Sequence, residues 1–183
     1  MTPLKIISYN ISALPKWCNF YGNPFKRIEQ IIDLLIKTDA DVICLQEVFD
    51  LKIKNRIAQE LLKYDFHYKP SNSMFYLSSG LMILSKYNII SKGFEAYNNY
   101  SGEDSLSEKG ILYITIEINN TVYTILNTHL NANAIFSLYR RCIKTREKQM
   151  DQLLEFVKNR DANRDNILLC GDFNIDLYDY QTM

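Results

Sequence analysis

The stretch Leu168–Asn174 has the sequence LLCGDFN, a short apolar run that ends in a glycine followed by polar residues. Such a run is typical of a buried strand. Side chains in a strand repeat every two residues, so an extended backbone would direct Asp172 and Asn174 to the same face. The alternative is a turn after Gly171, in which the Asp and Asn side chains bond to their own backbone.

Three other apolar runs end in the same way. They are Ile6–Asn10 (IISYN), Val42–Glu47 (VICLQE) and Val122–His129 (VYTILNTH). In layered α/β proteins, binding residues gather beyond strand ends, where the backbone is rigid and the side chains reach solvent. We therefore predict that these four strand ends meet in one site.

The composition limits the protein class. The chain has 183 residues, of which 47% are hydrophobic, so we expect one globular domain covering 1–183. It carries 21 basic and 21 acidic residues, which argues against binding to nucleic acid mainly by phosphate neutralisation, although a local basic patch stays open. Met1–Lys5 does not resemble a secretory signal, and no apolar run is long enough to span a membrane, so we expect a cytoplasmic protein.

Helix patterns occupy three stretches. The first has Asn23 as its N-cap and Pro24 at the first helical position, the second has Asp50 as its N-cap, and the third is Arg140–Asn159. Apolar residues spaced three or four apart predict the buried faces: Phe25, Ile28, Ile32, Leu35 and Ile36; Ile53, Ile57 and Leu61; and Ile143, Met150, Leu153, Leu154 and Val157.

The remaining strands are predicted from short apolar runs. A first strand at Leu4–Asn10 and a short one at Tyr64–Lys69 accompany two antiparallel pairs. One pair joins Gly80–Leu84 to the run from Ile89, and the clearest hairpin joins Gly110–Ile118 to Thr121–His129. Ala96–Lys109 is polar and is predicted to be a surface loop. The mixture of helices, hairpins and long-range strands predicts an α/β layered domain with a mixed sheet.

Glu47 is the best single candidate for a metal ligand. Mg²⁺ prefers oxygen donors and keeps several waters, so it needs few protein carboxylates. The alternative is a helix-capping or solvated carboxylate at a strand end. His129 has a similar alternative, a strand histidine that is simply hydrogen-bonded in place. Together, the amides and carboxylates at the strand ends and His129 offer metal binding and oxyanion stabilisation without a covalent nucleophile.

Four motifs in this order resemble the endonuclease/exonuclease/phosphatase superfamily of Mg²⁺-dependent phosphodiesterases: Tyr9-Asn10, Leu45–Glu47, Thr128–Leu130 and Gly171–Asn174. The flanking residues are most similar to the neutral sphingomyelinase branch. The segments that carry this second similarity are Leu14-Pro15, Gln46–Phe49, Gly80–Lys86, Lys109-Gly110, and Arg146 with Gln149.

The resemblance implies a layered β-sandwich flanked by helices, with the site where strand ends meet. It implies that Glu47 binds Mg²⁺ and that Asn10 assists. It also implies that Asp172 orients the water or assists the leaving group, while Asn174 and His129 contact the phosphate and stabilise its charge. These roles suit phosphoryl transfer, which depends largely on positioning and electrostatics.

The sequence departs from the family after Asn174. The family's last motif is an Asp-His pair whose histidine is the general base, whereas Ile175–Met183 contains Asp176 and Asp179 but no histidine. No apolar strand or helix in these residues completes a layer. We therefore expect a domain truncated after the GDFN motif, whose missing part a second chain would supply.

Three functions remain open. The first is a phosphodiesterase acting on a phospholipid such as sphingomyelin, with peripheral membrane contact. The second is an endonuclease of the same superfamily, which the locally basic segment Arg140–Lys148 would serve. The third is a catalytically dead remnant or binding module. The charge balance of the chain favours the lipid or small-ester substrate over nucleic acid.

Overall fold

The structure, a computed structural model, describes residues 3–14, 24–71, 77–133, 139–160 and 166–176. Within them the α-helices are α1 (Pro24–Thr38), α2 (Leu51–Glu60) and α3 (Tyr139–Arg160), and a short 3-10 helix covers Gly102–Leu106. The strands are β1 (Ile6–Ala13), β2 (Val42–Val48), β3 (Asp65–His67), β4 (Met82–Ser85), β5 (Ile89–Ala96), β6 (Gly110–Ile118), β7 (Thr121–His129) and β8 (Ile167–Asp172).

The strands form two mixed sheets, ordered β1-β2-β4-β3 and β5-β6-β7-β8. In each sheet one pair is parallel: β1 with β2, and β7 with β8. The parallel registers place Asn10 beside Gln46 in the first sheet and His129 beside Asp172 in the second. Parallel neighbours end at the same edge of a sheet, so the four predicted strand ends form two adjacent pairs.

Three apolar clusters give the layers. The first lies between the helices α1 and α2 and the first sheet, the second between the two sheets, and the third between the second sheet and α3. Representative members are Leu35, Ile53 and Leu45 in the first, Cys44, Ile83 and Ile114 in the second, and Leu126, Leu153 and Phe156 in the third. The protein is therefore a two-sheet sandwich flanked by helices, which confirms the expected fold class.

The predicted pairing of Gly80–Leu84 with the run from Ile89 is wrong. β4 pairs antiparallel with β2 and β3, whereas β5 pairs with β6 in the other sheet. Every residue of β4 is buried, as a strand between two neighbours and two packed layers requires. The Ser85 hydroxyl donates to the carbonyl of Tyr87 and accepts from its N–H, and this turn carries the chain from one sheet to the other.

The hairpin of β6 and β7 is confirmed. Asn119 and Asn120 both have positive φ angles, 52° and 62°, as a two-residue hairpin loop requires. β1 runs on to Ala13, beyond the predicted strand end at Asn10, and the predicted cap Asn23 lies outside the described residues. Cys44, Cys142 and Cys170 are free thiols.

The buried face of α3 differs from the prediction at Leu154, which is 49% exposed. Phe156 and the polar side chains of Arg146 and Gln149 are buried instead, because the two polar residues bind a loop that lies against the helix. The segment Ala96–Lys109 is not wholly a surface loop, since Lys109 at its end is buried. None of the helices in the described part of the chain is long and apolar enough to cross a bilayer.

Candidate functional site

Asn10 links the carboxylates of two different sheets. Its amide nitrogen donates to Glu47 Oε1 at 2.8 Å and to Asp172 Oδ2 at 2.9 Å. The Nε2 atom of His129 lies 4.0 Å from the same Glu47 oxygen and 3.9 Å from the same Asp172 oxygen. The structure therefore brings together four of the predicted site residues.

A β-bulge turns Glu47 toward this cluster. Two residues of β1, Ile11 and Ser12, lie opposite Glu47, and the φ angle of Glu47 is 58°. Cys44 faces the layer between the sheets, whereas Val48 packs on the helix side, so the alternation of side chains reverses within β2. A left-handed φ at a non-glycine residue costs roughly 1–3 kcal/mol and often marks a functional position.

The extended backbone does not persist through the GDFN motif, so its condition for a shared face is not met, and the turn interpretation holds for the side chain of Asp172. β8 ends at Asp172, and Asn174 has a φ of 51°. The backbone N–H of Asn174 donates to Asp172 Oδ1 at 3.0 Å, while its side-chain amide donates to the carbonyl of Leu130 at 2.9 Å. Asp172 thus uses one oxygen to hold the turn and the other to bind Asn10.

The environment of Asp172 favours its ionised form. Burial raises the pKa of this half-buried carboxyl group. Hydrogen bonds from the Asn10 amide and the Asn174 backbone, together with the positive charge of Lys109, outweigh burial and hold the pKa below its ordinary value. Asp172 is therefore a carboxylate at neutral pH.

His129 is a neutral imidazole at neutral pH. The residue is 4% exposed, and burial, helped by the charge of Lys109 and opposed by that of Asp172, lowers its pKa to about 3. Its Nδ1 atom has no hydrogen-bond partner among the described residues. The ring can therefore donate a hydrogen bond but carries no charge of its own.

Lys109 is a buried cation next to the site. Its ammonium group, 1% exposed, lies 2.7 Å from the carbonyl oxygen of Leu130 and 3.0 Å from Asp104 Oδ2. The same Asp104 oxygen accepts from the backbone N–H of Ala132 at 2.6 Å. Burial lowers the pKa of Lys109, while Asp104, Glu47 and Asp172 oppose that shift. The pair of Asp104 and Lys109 therefore fixes the segment that follows β7.

Helix α3 holds the same segment from another side. Arg146 Nη1 donates to the carbonyl of Asn131 at 3.0 Å and to Asn133 Oδ1 at 2.9 Å, and Gln149 Oε1 accepts from Asn131 N at 2.8 Å. Asp104 was not singled out from the sequence, because a lone acid in a polar loop gives no signal. Lys109, Arg146 and Gln149 were noted only through the family resemblance.

Asn10, Asp172 and Asn174 of the site border an open cleft of 710 Å³. The cleft is lined by Ser8, Asn10, Gln46, Ala132, Asn133, Gly171, Asp172, Phe173, Asn174, Ile175 and Asp176. Asp179, the other acid after the GDFN motif, lies outside the described residues.

The donors fit a hard divalent cation. Glu47 and Asp172 direct carboxylate oxygens at one point, where Asn10 now bridges them, and Mg²⁺ is commonly held by one or two carboxylates and several waters. The described residues contain no group of three or more His, Cys, Asp or Glu side chains suited to a metal. Asn10 Oδ1 accepts from Ser12 N at 3.0 Å, so the described orientation of Asn10 positions the carboxylates. Its role as a ligand stays a prediction.

Comparison with known proteins adds family relationships to this geometry. The sequence profile of the Endonuclease/Exonuclease/phosphatase family matches residues 7–182. The chain is 27% identical to sphingomyelinase C of Bacillus cereus over 94% of its own length and 57% of the relative's. It is 29% identical to human sphingomyelin phosphodiesterase 3, over 84% of its own length and 27% of the relative's.

A solved structure of Staphylococcus aureus beta toxin with bound magnesium ions superposes with a TM-score of 0.85. It is 25% identical, and the match covers 100% of this chain and 69% of the toxin chain. The chain thus spans between about a quarter and just over half of the lengths of the two curated relatives. The family profile covers nearly all of the sequence, and its expected fold is present. The chain belongs to the endonuclease/exonuclease/phosphatase family.

Proposed function

We propose that these residues form the metal-binding part of the active site of a Mg²⁺-dependent phosphodiesterase that acts on a phospholipid such as sphingomyelin. The observation that carries the proposal is the convergence of Glu47 and Asp172 on the Asn10 amide, with His129 Nε2 about 4 Å from both carboxylates. Carboxylates from two sheets meet there beside an open cleft.

Each side chain has a role that its environment supports. Glu47, directed inward by the bulge, would hold Mg²⁺ with the assistance of Asn10 and Asp172. A bound Mg²⁺ ion supplies Lewis-acid stabilisation of negative charge on a phosphoryl oxygen. Asp172 is ionised, which suits it to orient water or to assist the leaving group. The neutral ring of His129 is suited to donate a hydrogen bond to a phosphate oxygen.

Asn174 is proposed to contact the phosphate from the rim of the cleft. Its side-chain amide already donates to Leu130, which holds the residue in place. The backbone of Leu130 is bound in turn by Lys109 and Asp172. These contacts give the phosphate-facing side of the cleft a fixed shape, which favours catalysis by positioning.

The lipid substrate rests on the two curated relatives, which are named sphingomyelinase C and sphingomyelin phosphodiesterase 3. The test is release of phosphocholine from sphingomyelin, run with Mg²⁺ and with a chelator, beside cleavage of DNA containing abasic sites. In a form of the protein that carries the family's Asp-His pair, we expect Mg²⁺-dependent release of phosphocholine that Glu47→Gln abolishes. Preferential DNA cleavage would contradict the lipid substrate while leaving the active site in place.

The endonuclease function is the second candidate. The observation that favours it is a groove lined by Arg140, Arg141, Lys144 and Lys148 on α3. A cationic groove can neutralise phosphates of a nucleic acid backbone. The DNA arm of the same assay decides between the two substrates.

A further inference from the structure

The first half of α3 has a buried and an exposed side with different tasks. Arg146 and Gln149 face inward and hold the segment that borders the cleft. The exposed side carries Arg140, Arg141, Lys144 and Lys148, and these four side chains line a groove of 430 Å³ together with Asn99, Tyr100 and Thr145. We call this feature the cationic groove.

The charges of the cationic groove are not neutralised within the described structure. None of the four cations forms an ion pair with a described residue, and the nearby exposed acids Glu147 and Asp151 pair with none of them. An isolated cluster of this kind on a neutral protein provides a local positive potential. Such a potential is a recognition feature for a compact anionic surface.

The arrangement also costs helix stability. Arg140, Lys144 and Lys148 follow one another at four-residue intervals, so like charges are neighbours on the helix surface. Arg140 and Arg141 lie in the first turn of α3, where the helix dipole disfavours positive charge. An anion in the groove would relieve both effects, because it would screen the like charges and oppose the positive end of the dipole.

A phospholipid surface fits this groove better than a nucleic acid. Its cations lie within nine residues, or about 12 Å along the helix, and clusters of four or more Lys or Arg on one helix face are typical of binding to acidic lipids. Tyr139, at the start of the same helix, is 38% exposed, and tyrosine favours the interface of a bilayer. The equal numbers of acidic and basic residues do not provide the extended positive surface that nucleic acids require.

The groove is joined to the cleft through two neighbouring residues. Thr145 lines the groove, while Arg146 bonds to Asn133, which lines the cleft. We propose that the cationic groove binds anionic phospholipids at a membrane surface and thereby places the cleft at the bilayer. The second half of this proposal rests on the proposed function, whereas lipid binding by the groove does not.

The test is co-sedimentation of the protein with vesicles that contain no sphingomyelin. One set is phosphatidylcholine alone, and the other is phosphatidylcholine with phosphatidylserine. We expect binding to the acidic vesicles only, weakened by salt. Each Lys or Arg near an acidic membrane contributes about a five-fold factor, so Arg140→Gln with Lys144→Gln should reduce partitioning about 25-fold.

A matched control removes two positive charges from helices outside the cationic groove. Lys37 and Lys52 are exposed on α1 and α2, and Lys37→Gln with Lys52→Gln should leave partitioning within about two-fold of wild type. Equal losses in both double variants would overturn the groove as the binding site, as would equal binding to both vesicle types. Tighter binding to single-stranded DNA than to acidic vesicles would overturn the lipid partner.

Melting temperatures of both double variants serve as the check for a folding defect. The groove variant should melt no lower than wild type because like charges are removed.

The proposed function and the lipid-binding groove can fail separately. Vesicle binding through the groove, without sphingomyelin hydrolysis by a form of the protein that carries the family's Asp-His pair, would overturn the proposed function alone. Hydrolysis without binding to the acidic vesicles would overturn the cationic groove alone.

Discussion

The side-chain amide of Gln46 donates a 2.7 Å hydrogen bond to the side-chain oxygen of Asn127 and so joins the two sheets through their buried interior. Gln46 directly precedes Glu47, and Asn127 lies two residues before His129. The amide of Asn127 donates to the carbonyls of Leu45 and Met82 at 2.9 and 3.2 Å. This polar contact fixes the separation of the two strand ends that carry the site.

We expect Asn127→Leu to destabilise the fold. The substitution removes the acceptor of Gln46 and the donor to Leu45 and Met82, and an unsatisfied buried polar group costs about 1–3 kcal/mol. Urea unfolding should show that loss in the free energy of unfolding. Thr115→Val removes the exposed bond between Thr115 and Ser91 and serves as the control, with an expected change within about 0.5 kcal/mol. Equal losses of unfolding free energy in the two variants would mean that the Gln46–Asn127 hydrogen bond contributes no more than the exposed bond.

Mg²⁺ binding through Glu47 is testable without turnover. A ligand that binds only the folded state raises the melting temperature according to its free concentration over its dissociation constant. We expect Mg²⁺ to stabilise the wild type and to have little effect on Glu47→Gln. Glu117→Gln, which changes an exposed glutamate of β6, should respond as the wild type does. Identical titrations of all three proteins would show that Glu47 is not the ligand.

The strand ends and the hairpin were predictable because they depend on local sequence. Alternating apolar residues and the Asn119-Asn120 loop indicate where strands run and turn. That Glu47 and Asp172 would lie close together was predictable only from the fold class, in which strand ends gather. The order of the four motifs, through the family resemblance, then identified which residues form the site.

The remaining features depend on contacts distant in sequence. Nothing in VICLQEV reveals that Glu47 adopts a left-handed φ, because the bulge that allows it lies in β1. The pairing of β4 and β5 was mispredicted because the distance between two runs does not say which sheet each joins. Lys109 looked exposed in a polar stretch, since its partner Leu130 follows 21 residues later.

Lys54 should make stability depend on alkaline pH. It is 2% exposed and donates to Ser78 Oγ at 2.9 Å, and burial lowers its pKa to about 8 from an ordinary value of 10.5. Between these values the unfolded chain binds a proton that the folded chain lacks, so this group makes stability rise with pH. Below about pH 8 the full cost of burying the charge is present.

The measurement compares wild type with Lys54→Met. The stability advantage of the variant should shrink by up to roughly 3 kcal/mol as the pH rises from about 7 to about 10. Lys52→Met, at an exposed lysine of the same helix, supplies the control and should run parallel to wild type. A Lys54→Met curve parallel to wild type would show that Lys54 keeps its ordinary pKa.

His129→Ala should depress turnover in whichever form of the protein hydrolyses sphingomyelin. Loss of one hydrogen-bond donor to the developing charge on the phosphate typically lowers the rate by roughly two to three orders of magnitude. Because the pKa of His129 is lowered to about 3, the loss should be uniform across neutral pH. His67→Ala, which removes the other histidine and its contact with the Gly93 carbonyl, should leave turnover unchanged. A loss that varies with pH near 6.5, the ordinary histidine value, would mean that His129 titrates during the reaction.

Among the described residues, β8 has β7 as its only strand partner. Leu169 on this strand is 42% exposed, and an apolar edge strand favours association between molecules. We expect residues 1–183 alone to associate and to hydrolyse sphingomyelin poorly. General acid–base assistance typically contributes about 10²- to 10⁴-fold to a rate, so these residues without the family's Asp-His pair are expected to be slow by such a factor.

Light scattering and the phosphocholine assay check this expectation together. A separate polypeptide carrying the family's Asp-His pair should reduce the association and restore Mg²⁺-dependent turnover, because it would cover β8 and supply the base. The same polypeptide with that histidine changed to alanine should still reduce association but leave turnover low. Full activity from a monomeric 1–183 chain would contradict the prediction and would make Asp176, which lines the cleft, the candidate base.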